Sequence, residues 1–403
     1  MKYFALILCV LAVTASSAGS FMLGLARTLD SDESLYARNG AGREVELAET
    51  GVAGPDGAIV QDLGIPSVAQ DGTVLFAAAI LEKQNLRWRI FAANPESGES
   101  IPLSVPRTSA ILPEMRFDPR PIAASDGAVI FGAHQAQGGD AVFKLVDGQL
   151  SSLLRTGAPT RDGRAIRALS FGTVAAANRG QVALAAYLQP GGQAELLISA
   201  TGDVTVLAAE GDAAPGGGRF LSGFSPPAAS ESGNDPVVAF TARTSRGDAL
   251  FLYSQGRARR VLSNGAACKG GRIKYLWPSR PGLMPGGTLA ILASCSGTPA
   301  ILLVTRGGAK VVLRAEQNTA RGRPFYHVNN PMLSASGAIF FGATGADDVD
   351  RIYSISRRGT MSEIAPFQNF DRQISDPAPL AHTVSSAAIA INQHGVVAYL
   401  GGR

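Results

Sequence analysis

A short pattern, a glycine turn followed by an apolar strand, recurs along the chain and limits its fold more than any other feature. It reads ASDGAVIFGAH at 124–134, and similar segments are AQDGTVLFAAA, SASGAIFFGAT and NQHGVVAYLGG. The turn glycines are Gly72, Gly127, Gly180, Gly233, Gly287, Gly337 and Gly395. Successive glycines lie between 50 and 58 residues apart. Seven units of nearly constant length predict a repeat architecture.

Each unit follows the same internal plan. The glycine turn leads into a strongly apolar strand such as 128–133, and a loop rich in Gly and Asp precedes a third strand such as AVFKLV. A second tight turn then leads to a fourth strand such as LSSLLRTG. Four antiparallel strands per unit are typical of a β-propeller blade, and a second strand that is apolar on both sides indicates a neighbour on each face. The sequence therefore predicts an all-β, seven-bladed β-propeller, with an open solenoid or two packed sandwiches as alternatives.

The two ends of the chain complement each other. The last unit stops after its second strand, VVAYLGG, whereas SLYARNG and REVELAETG near the N-terminus match the third and fourth strands of other units. We therefore expect residues 34–51 to complete the blade begun by 385–403, which would close the ring without an exposed edge. Residues 19–403 are predicted to form this single domain.

One segment carries a resemblance to a known family. The sequence NQHGVVAY at 392–399 fits the pattern NxxGxxAF, and GDAAPGGGRF at 211–220 precedes another copy. The chain resembles the bacterial tandem-repeat ("choice-of-anchor") family named for this motif, whose members often carry varied surface anchors. Its repeat unit is also similar to TolB-type and WD-like propeller repeats. The resemblance supports the fold and implies no reaction.

The N-terminal segment has the form of a secretory signal peptide. In MKYFALILCVLAVTASSAGS one Lys precedes an apolar run, and small residues follow. The run is short for a membrane span, so we expect a signal peptide at 1–18 and no membrane span after its cleavage, although a retained anchor is an alternative. The mature protein is then extracytoplasmic, either periplasmic or secreted.

Two cysteines, Cys268 and Cys295, follow the signal peptide. The blade plan places both at the same end of one blade, and an exported chain meets oxidising conditions. The sequence therefore predicts a disulfide between them. The alternative is two separately buried, small apolar side chains.

Composition and motifs disfavour several function classes. Charged residues make up only 17% of the chain, the net charge is +4, and no basic stripe with interleaved aromatic residues appears, so no nucleic-acid partner is predicted. The sequence contains no HExxH, GxSxG, P-loop, dinucleotide fingerprint or CxxC. GDAAPGGGRF is interpreted as a turn-rich connection, because it contains Pro and no helix is predicted after it. We predict no cofactor and no metal, and a non-enzymatic role is favoured.

The long connections between a fourth strand and the next first strand carry many arginines. A basic ring of this kind would favour an anionic polysaccharide or a cell-envelope protein as partner of a monomer, and solvated loop charges are the alternative. A carbohydrate-active lyase or hydrolase at the channel mouth is the second hypothesis. The candidate ligand-binding residues are Arg120, Arg164, Arg280, Arg323, His327, Asn330 and His382.

Overall fold

The computed structural model describes most of the chain after residue 32. The described ranges are 33–39, 41–54, 57–82, 85–103, 116–117, 120–134, 139–177, 180–232, 235–315, 325, 327–345, 349–366, 389–392 and 396–402. The predicted signal peptide at 1–18 lies outside them.

Seven antiparallel sheets form the blades. Blade 1 contains β3 (Ile59–Leu63), β4 (Ser67–Val68), β5 (Val74–Glu82), β6 (Asn85–Ala93) and β7 (Ser100–Pro102), and blade 2 contains β8 (Arg116–Phe117), β9 (Ile122–Ala123), β10 (Val129–His134), β11 (Asp140–Val146) and β12 (Gln149–Arg155). Blade 3 contains β13 (Ala165–Leu169), β14 (Ala175–Ala176), β15 (Val182–Gln189), β16 (Gly192–Ile198) and β17 (Val204–Ala209), and blade 4 contains β18 (Ala228–Ser232), β19 (Asp235–Thr244), β20 (Gly247–Ser254) and β21 (Arg257–Ser263). Blade 5 contains β22 (Ala267–Cys268), β23 (Gly271–Leu276), β24 (Gly282–Leu283), β25 (Leu289–Cys295), β26 (Thr298–Thr305) and β27 (Gly308–Arg314), and blade 6 contains β28 (His327–Leu333), β29 (Ile339–Thr344), β30 (Asp350–Ile355) and β31 (Met361–Pro366). The closing blade contains β1 (Glu33–Arg38), β2 (Glu44–Glu49), β32 (Ile389–Ile391) and β33 (Val397–Gly402).

The closing blade joins both ends of the chain, as the sequence predicts. Its strand order is β2-β1-β33-β32, and β1 pairs antiparallel with β33 from Glu33 opposite Gly402 to Arg38 opposite Val397. Asn392 then links this blade to blade 1, because its Nδ2 donates to the carbonyl of Ala69 at 2.9 Å. The ring is therefore a seven-bladed β-propeller, and the solenoid and sandwich alternatives are wrong.

Apolar side chains fill the space between neighbouring blades. Ile130 of blade 2 and Leu184 of blade 3 share one cluster, and Leu35 of the closing blade packs with Phe76 of blade 1 in another. Second strands are buried on both faces, as β25 shows along its whole length. This burial explains why the second strands lack alternation of apolar and polar residues.

The repeated turn before each second strand has one hydrogen-bond pattern. Gly127 has a φ of +79°, its N–H donates to the carbonyl of Ala124, and the N–H of Ala124 donates to the carbonyl of Ala128. Gly287 and Gly337 occupy the same conformation. A positive φ favours glycine, which explains the repeat seen in the sequence. Gly233 and Gly395 lie outside the described residues.

The innermost strand of four blades is split into two short pieces. In blades 1, 2, 3 and 5 two short pieces pair with one second strand, as β13 and β14 both pair with β15. The break in blade 3 contains a 3₁₀ turn at Phe171–Thr173. The breaks in blades 2 and 5 contain Arg120 and Arg280.

Cys268 and Cys295 form a disulfide, which confirms their predicted pairing. Among the described residues, no helix has the length and apolar character needed to cross a membrane.

Candidate functional site

Two arginines from different blades meet at the centre of the ring. Arg120 lies between β8 and β9, and Arg280 lies between β23 and β24. Each is followed by a proline and occupies the same position in its repeat unit. Equivalent breaks in two innermost strands therefore direct two guanidinium groups inward. We call Arg120 and Arg280 the inner pair.

The inner pair shares one acceptor, the carbonyl oxygen of Gly172. Nη1 of Arg120 donates to it at 3.5 Å and Nη2 of Arg280 at 3.3 Å. Arg280 also donates from Nη1 and Nη2 to the carbonyl of Val174, at 3.1 Å and 3.2 Å. Because a side chain of blade 5 reaches blade 3 past blade 4, these contacts cross the centre of the ring.

The 3₁₀ turn that presents these carbonyls is anchored on both sides. Oγ1 of Thr173 donates to the carbonyl of Ser170 at 2.6 Å and accepts from the N–H of Ala185 at 2.8 Å. Phe171 is buried against blade 2, where a Cβ atom at Gly132 would lie 2.2 Å from its ring. Glycine at 132 therefore leaves space for the Phe171 ring. Together, the contacts of Phe171 and Thr173 hold the carbonyls of Gly172 and Val174 in a fixed position.

A buried carboxyl group lies within the electrostatic reach of Arg280. Glu195 on β16 is fully buried, and neither of its carboxyl oxygens has a hydrogen-bond partner among the described residues. Burial raises the pKa of Glu195 well above 4.5, and the positive charge of Arg280 acts in the opposite direction. Desolvation dominates because a buried carboxylate without donors loses its hydration.

Arg164, another candidate, is bound by carboxylates and makes no described contact with the inner pair. Its Nη2 donates to Asp162 Oδ2 at 2.5 Å and to Asp212 Oδ2 at 3.2 Å. The hydrogen bond from Arg164 is the main reason that the pKa of Asp162 falls to about 2. Its charge is thus balanced within the protein.

The side chains of four candidate residues lie outside the part of the chain that the structure describes. His327 and Asn330 belong to β28, but their side chains lie outside the described part of the structure. Arg323 and His382 lie outside the described residues altogether. Their roles remain predictions.

The long connections form hairpins that contact outer strands. The N–H of Gly157 donates to the carbonyl of Ile166, and the N–H of Arg161, at the tip of this hairpin, donates to Val204 of the outer strand β17. In blade 5, Arg314 of the outer strand β27 donates to the carbonyl of Lys269. These contacts separate the hairpin arginines from the inner pair. In the parts of the chain that the structure describes, no group of three or more His, Cys, Asp or Glu residues could hold a metal ion.

A known protein family matches the second half of the chain. Residues 190–403, more than half of the chain, match the family described as "Family of unknown function (DUF7453)". The chain belongs to the DUF7453 family. No curated protein matches the sequence.

Solved structures similar to this DUF7453 member include several propeller proteins. TolB from Acinetobacter baumannii is 11% identical, with coverage of 86% of this chain and 66% of TolB and a TM-score of 0.42. A prolyl endopeptidase is 14% identical, with coverage of 83% and 46% and a TM-score of 0.51. Pyrococcus horikoshii acylaminoacyl peptidase is 12% identical, with coverage of 75% and 46% and a TM-score of 0.46. The chain spans about half to two thirds of these proteins. The prolyl endopeptidase likeness shows the fold alone.

Proposed function

We propose that this protein is an exported, non-enzymatic binding module that holds an anionic group of its partner at the inner pair. The convergence of Arg120 and Arg280 on the carbonyl of Gly172 carries this proposal. An anionic oxygen is a stronger acceptor for a guanidinium than a neutral carbonyl. A carboxylate or phosphate entering the centre of the ring would therefore compete for these donors.

The electrostatics of the inner pair favour such a ligand. Nη1 of Arg120 and Nη2 of Arg280 lie close together, because both donate to the same carbonyl oxygen of Gly172, at 3.5 Å and 3.3 Å. Two like charges held this close repel each other, and the carbonyl oxygen between them carries no net charge. An anion bound beside this carbonyl would attract both guanidinium groups.

Export is supported by two observations. The first is the signal-like sequence at 1–18, and the second is the disulfide between Cys268 and Cys295, which is stable in oxidising compartments. A periplasmic or secreted monomer fits both. Membership of the NxxGxxAF family, suggested by Asn392 and its turn, belongs to the same proposal. Binding is a common use of propellers, although the fold alone does not select it.

Calorimetric titration with galacturonate, inorganic phosphate and sulfate tests the central site. At least one of these anions should bind the wild-type protein, and Arg280→Met should weaken that binding about tenfold, since two charge-assisted contacts are lost. Arg167→Met removes an exposed arginine of blade 3 and is the matched control. Equal affinity of the wild type and Arg280→Met would overturn the proposal, as would absence of binding by all three anions.

Arg120→Met keeps the test valid if Arg280→Met does not fold. Arg120 contributes one described contact to Gly172, whereas Arg280 contributes three contacts to Gly172 and Val174. We therefore expect Arg120→Met to fold and to lose affinity in the same anion titration. Unchanged affinity in this folded variant would contradict a shared site.

A further inference from the structure

The hairpin that connects blades 3 and 4 contains three successive glycines. Gly216, Gly217 and Gly218 all have positive φ angles, of +82°, +96° and +88°. The hairpin at 211–220 is closed by hydrogen bonds from the N–H of Gly211 to Phe220 at 2.9 Å and from the N–H of Ala214 to Gly218 at 3.0 Å. We call residues 211–220 the glycine hairpin.

Two arginines from blade 4 lie directly on these glycines. A Cβ atom at Gly216 would lie 2.7 Å from the guanidinium carbon of Arg260, and one at Gly217 would lie 2.6 Å from Nη1 of Arg246. With glycine at both positions, the two guanidinium groups lie against the backbone of the hairpin. Arg219 belongs to the same hairpin, and its Nη1 donates to the carbonyl of Gly211 at 2.7 Å. Arg219, Arg246 and Arg260 form what we call the arginine cluster.

The arginine cluster faces solvent with its charge unbalanced. All three side chains are exposed, and within the described residues none of them forms an ion pair. The nearby acids have other partners, since Asp212 accepts from Arg164 and Asp248 accepts from Asn264.

Equivalent hairpins of other blades are built differently. The hairpin at 157–166 has the same length and the same first hydrogen bond, from Gly157 to Ile166. It carries Asp162 where the glycine hairpin has Gly216, and Asp162 accepts from Arg164. The sequence of the hairpin at 51–60 also has an acid, Asp56, at this position. Blade 4 thus lacks the carboxylate and carries additional arginines.

We propose that the arginine cluster binds an anionic polysaccharide. Planar guanidinium groups match carboxylate and sulfate groups with two parallel hydrogen bonds, and three of them close together suit a partner with repeated charges. A single-stranded nucleic acid would require exposed aromatic side chains for base stacking. A membrane surface would require more exposed apolar residues than Leu221, the single large one in the described part of blade 4.

Titration with polygalacturonate tests this second site. The combined Arg246→Ser and Arg260→Ser variant should bind the polymer about tenfold or more weakly than the wild type, because two charge-assisted contacts are lost. Its affinity should also depend less on salt concentration, since fewer counterions are released on binding. The combined Arg155→Ser and Arg167→Ser variant loses the same charge from exposed positions of blades 2 and 3 and should bind nearly as the wild type.

Three outcomes of the polygalacturonate titration would overturn the proposal. These outcomes are no binding by the wild type, wild-type affinity in the Arg246→Ser and Arg260→Ser variant, or an equal loss in the control. Tighter binding to a single-stranded oligonucleotide or to vesicles of anionic lipid would overturn the polysaccharide assignment. Loss of small-anion affinity is measured in Arg120→Met and loss of polymer affinity in the Arg246→Ser and Arg260→Ser variant, so failure of the central anion site and failure of this one are separate results.

Discussion

The inner pair and the arginine cluster use the same side chain in two different ways. Arg280 is half-buried and donates to two backbone carbonyls of blade 3, so it connects blades as well as presenting charge. Arg246 and Arg260 are exposed and lie on glycines, so they contribute charge and little cohesion. The difference shows that what an arginine contacts decides whether its loss affects stability, binding or both.

Arg280→Met should cause the largest loss of stability, up to about 4 kcal/mol, because the partly buried carbonyls of Gly172 and Val174 lose a charged donor. The loss should appear as a lower midpoint of urea unfolding, measured by circular dichroism. Arg167→Met is the control and should stay within about 0.5 kcal/mol of the wild type. If both variants unfolded at the same urea concentration, the inner pair would have no structural role.

The hairpin that contains Cys268, at the start of blade 5, provides a second comparison with the glycine hairpin, because a disulfide links it to Cys295 of β25. The combined Cys268→Ser and Cys295→Ser variant should lose about 3 kcal/mol, since the disulfide closes a loop of 27 residues. Alkylation of the unreduced wild-type protein followed by intact-mass measurement should detect no free thiol at either position. Two alkylated thiols in that experiment would show that the pairing is absent.

Glu195→Gln should raise stability by about 1 kcal/mol near neutral pH. The folded-state pKa of Glu195 lies above 4.5, so the folded protein keeps a proton that the unfolded chain releases. Wild-type stability therefore falls as pH rises from 4.5 through the raised pKa, and this contribution is absent from the variant. Unfolding midpoints measured from acidic to neutral pH should diverge with rising pH. Parallel curves would mean that Glu195 is ionised in the fold.

The smallest effect is expected for the arginine cluster. The combined Arg246→Ser and Arg260→Ser variant should unfold within about 0.5 kcal/mol of the wild type, because exposed side chains without ion pairs contribute little. Its urea unfolding curve should therefore overlay that of the Arg155→Ser and Arg167→Ser control. A loss comparable to that of Arg280→Met would remove the distinction between the two regions.

The sequence predicts the architecture because the repeat is local. Each turn glycine and its following strand lie within about ten residues, and the complementary ends predict the pairing of β1 with β33. The link between Cys268 and Cys295 also follows from the blade plan, because both lie at the same end of one blade. The breaks in the innermost strands are harder to predict from the sequence, since no local pattern predicts the 3₁₀ turn at Phe171–Thr173.

Contacts of the two arginine regions are only partly predictable. The repeat position groups Arg120 with Arg280, but their common acceptor at Gly172 depends on how blade 3 faces the centre. The arginine cluster was missed because Arg246, in the turn between β19 and β20, and Arg260 of β21 follow the glycine hairpin by about thirty to forty residues. Gly216 offered one sequence signal, since it replaces the aspartate found at the matching hairpin positions of blades 1 and 3.

The inner pair and the arginine cluster are proposed as independent sites of one binding module. Calorimetric titration of the wild-type protein with inorganic phosphate and with sulfate, first alone and then with saturating polygalacturonate, measures that independence. Neither anion is a unit of the polymer, so the one that binds the inner pair should keep the same affinity and stoichiometry in both titrations. Loss of its binding in the presence of the polymer would show that the two sites are not independent.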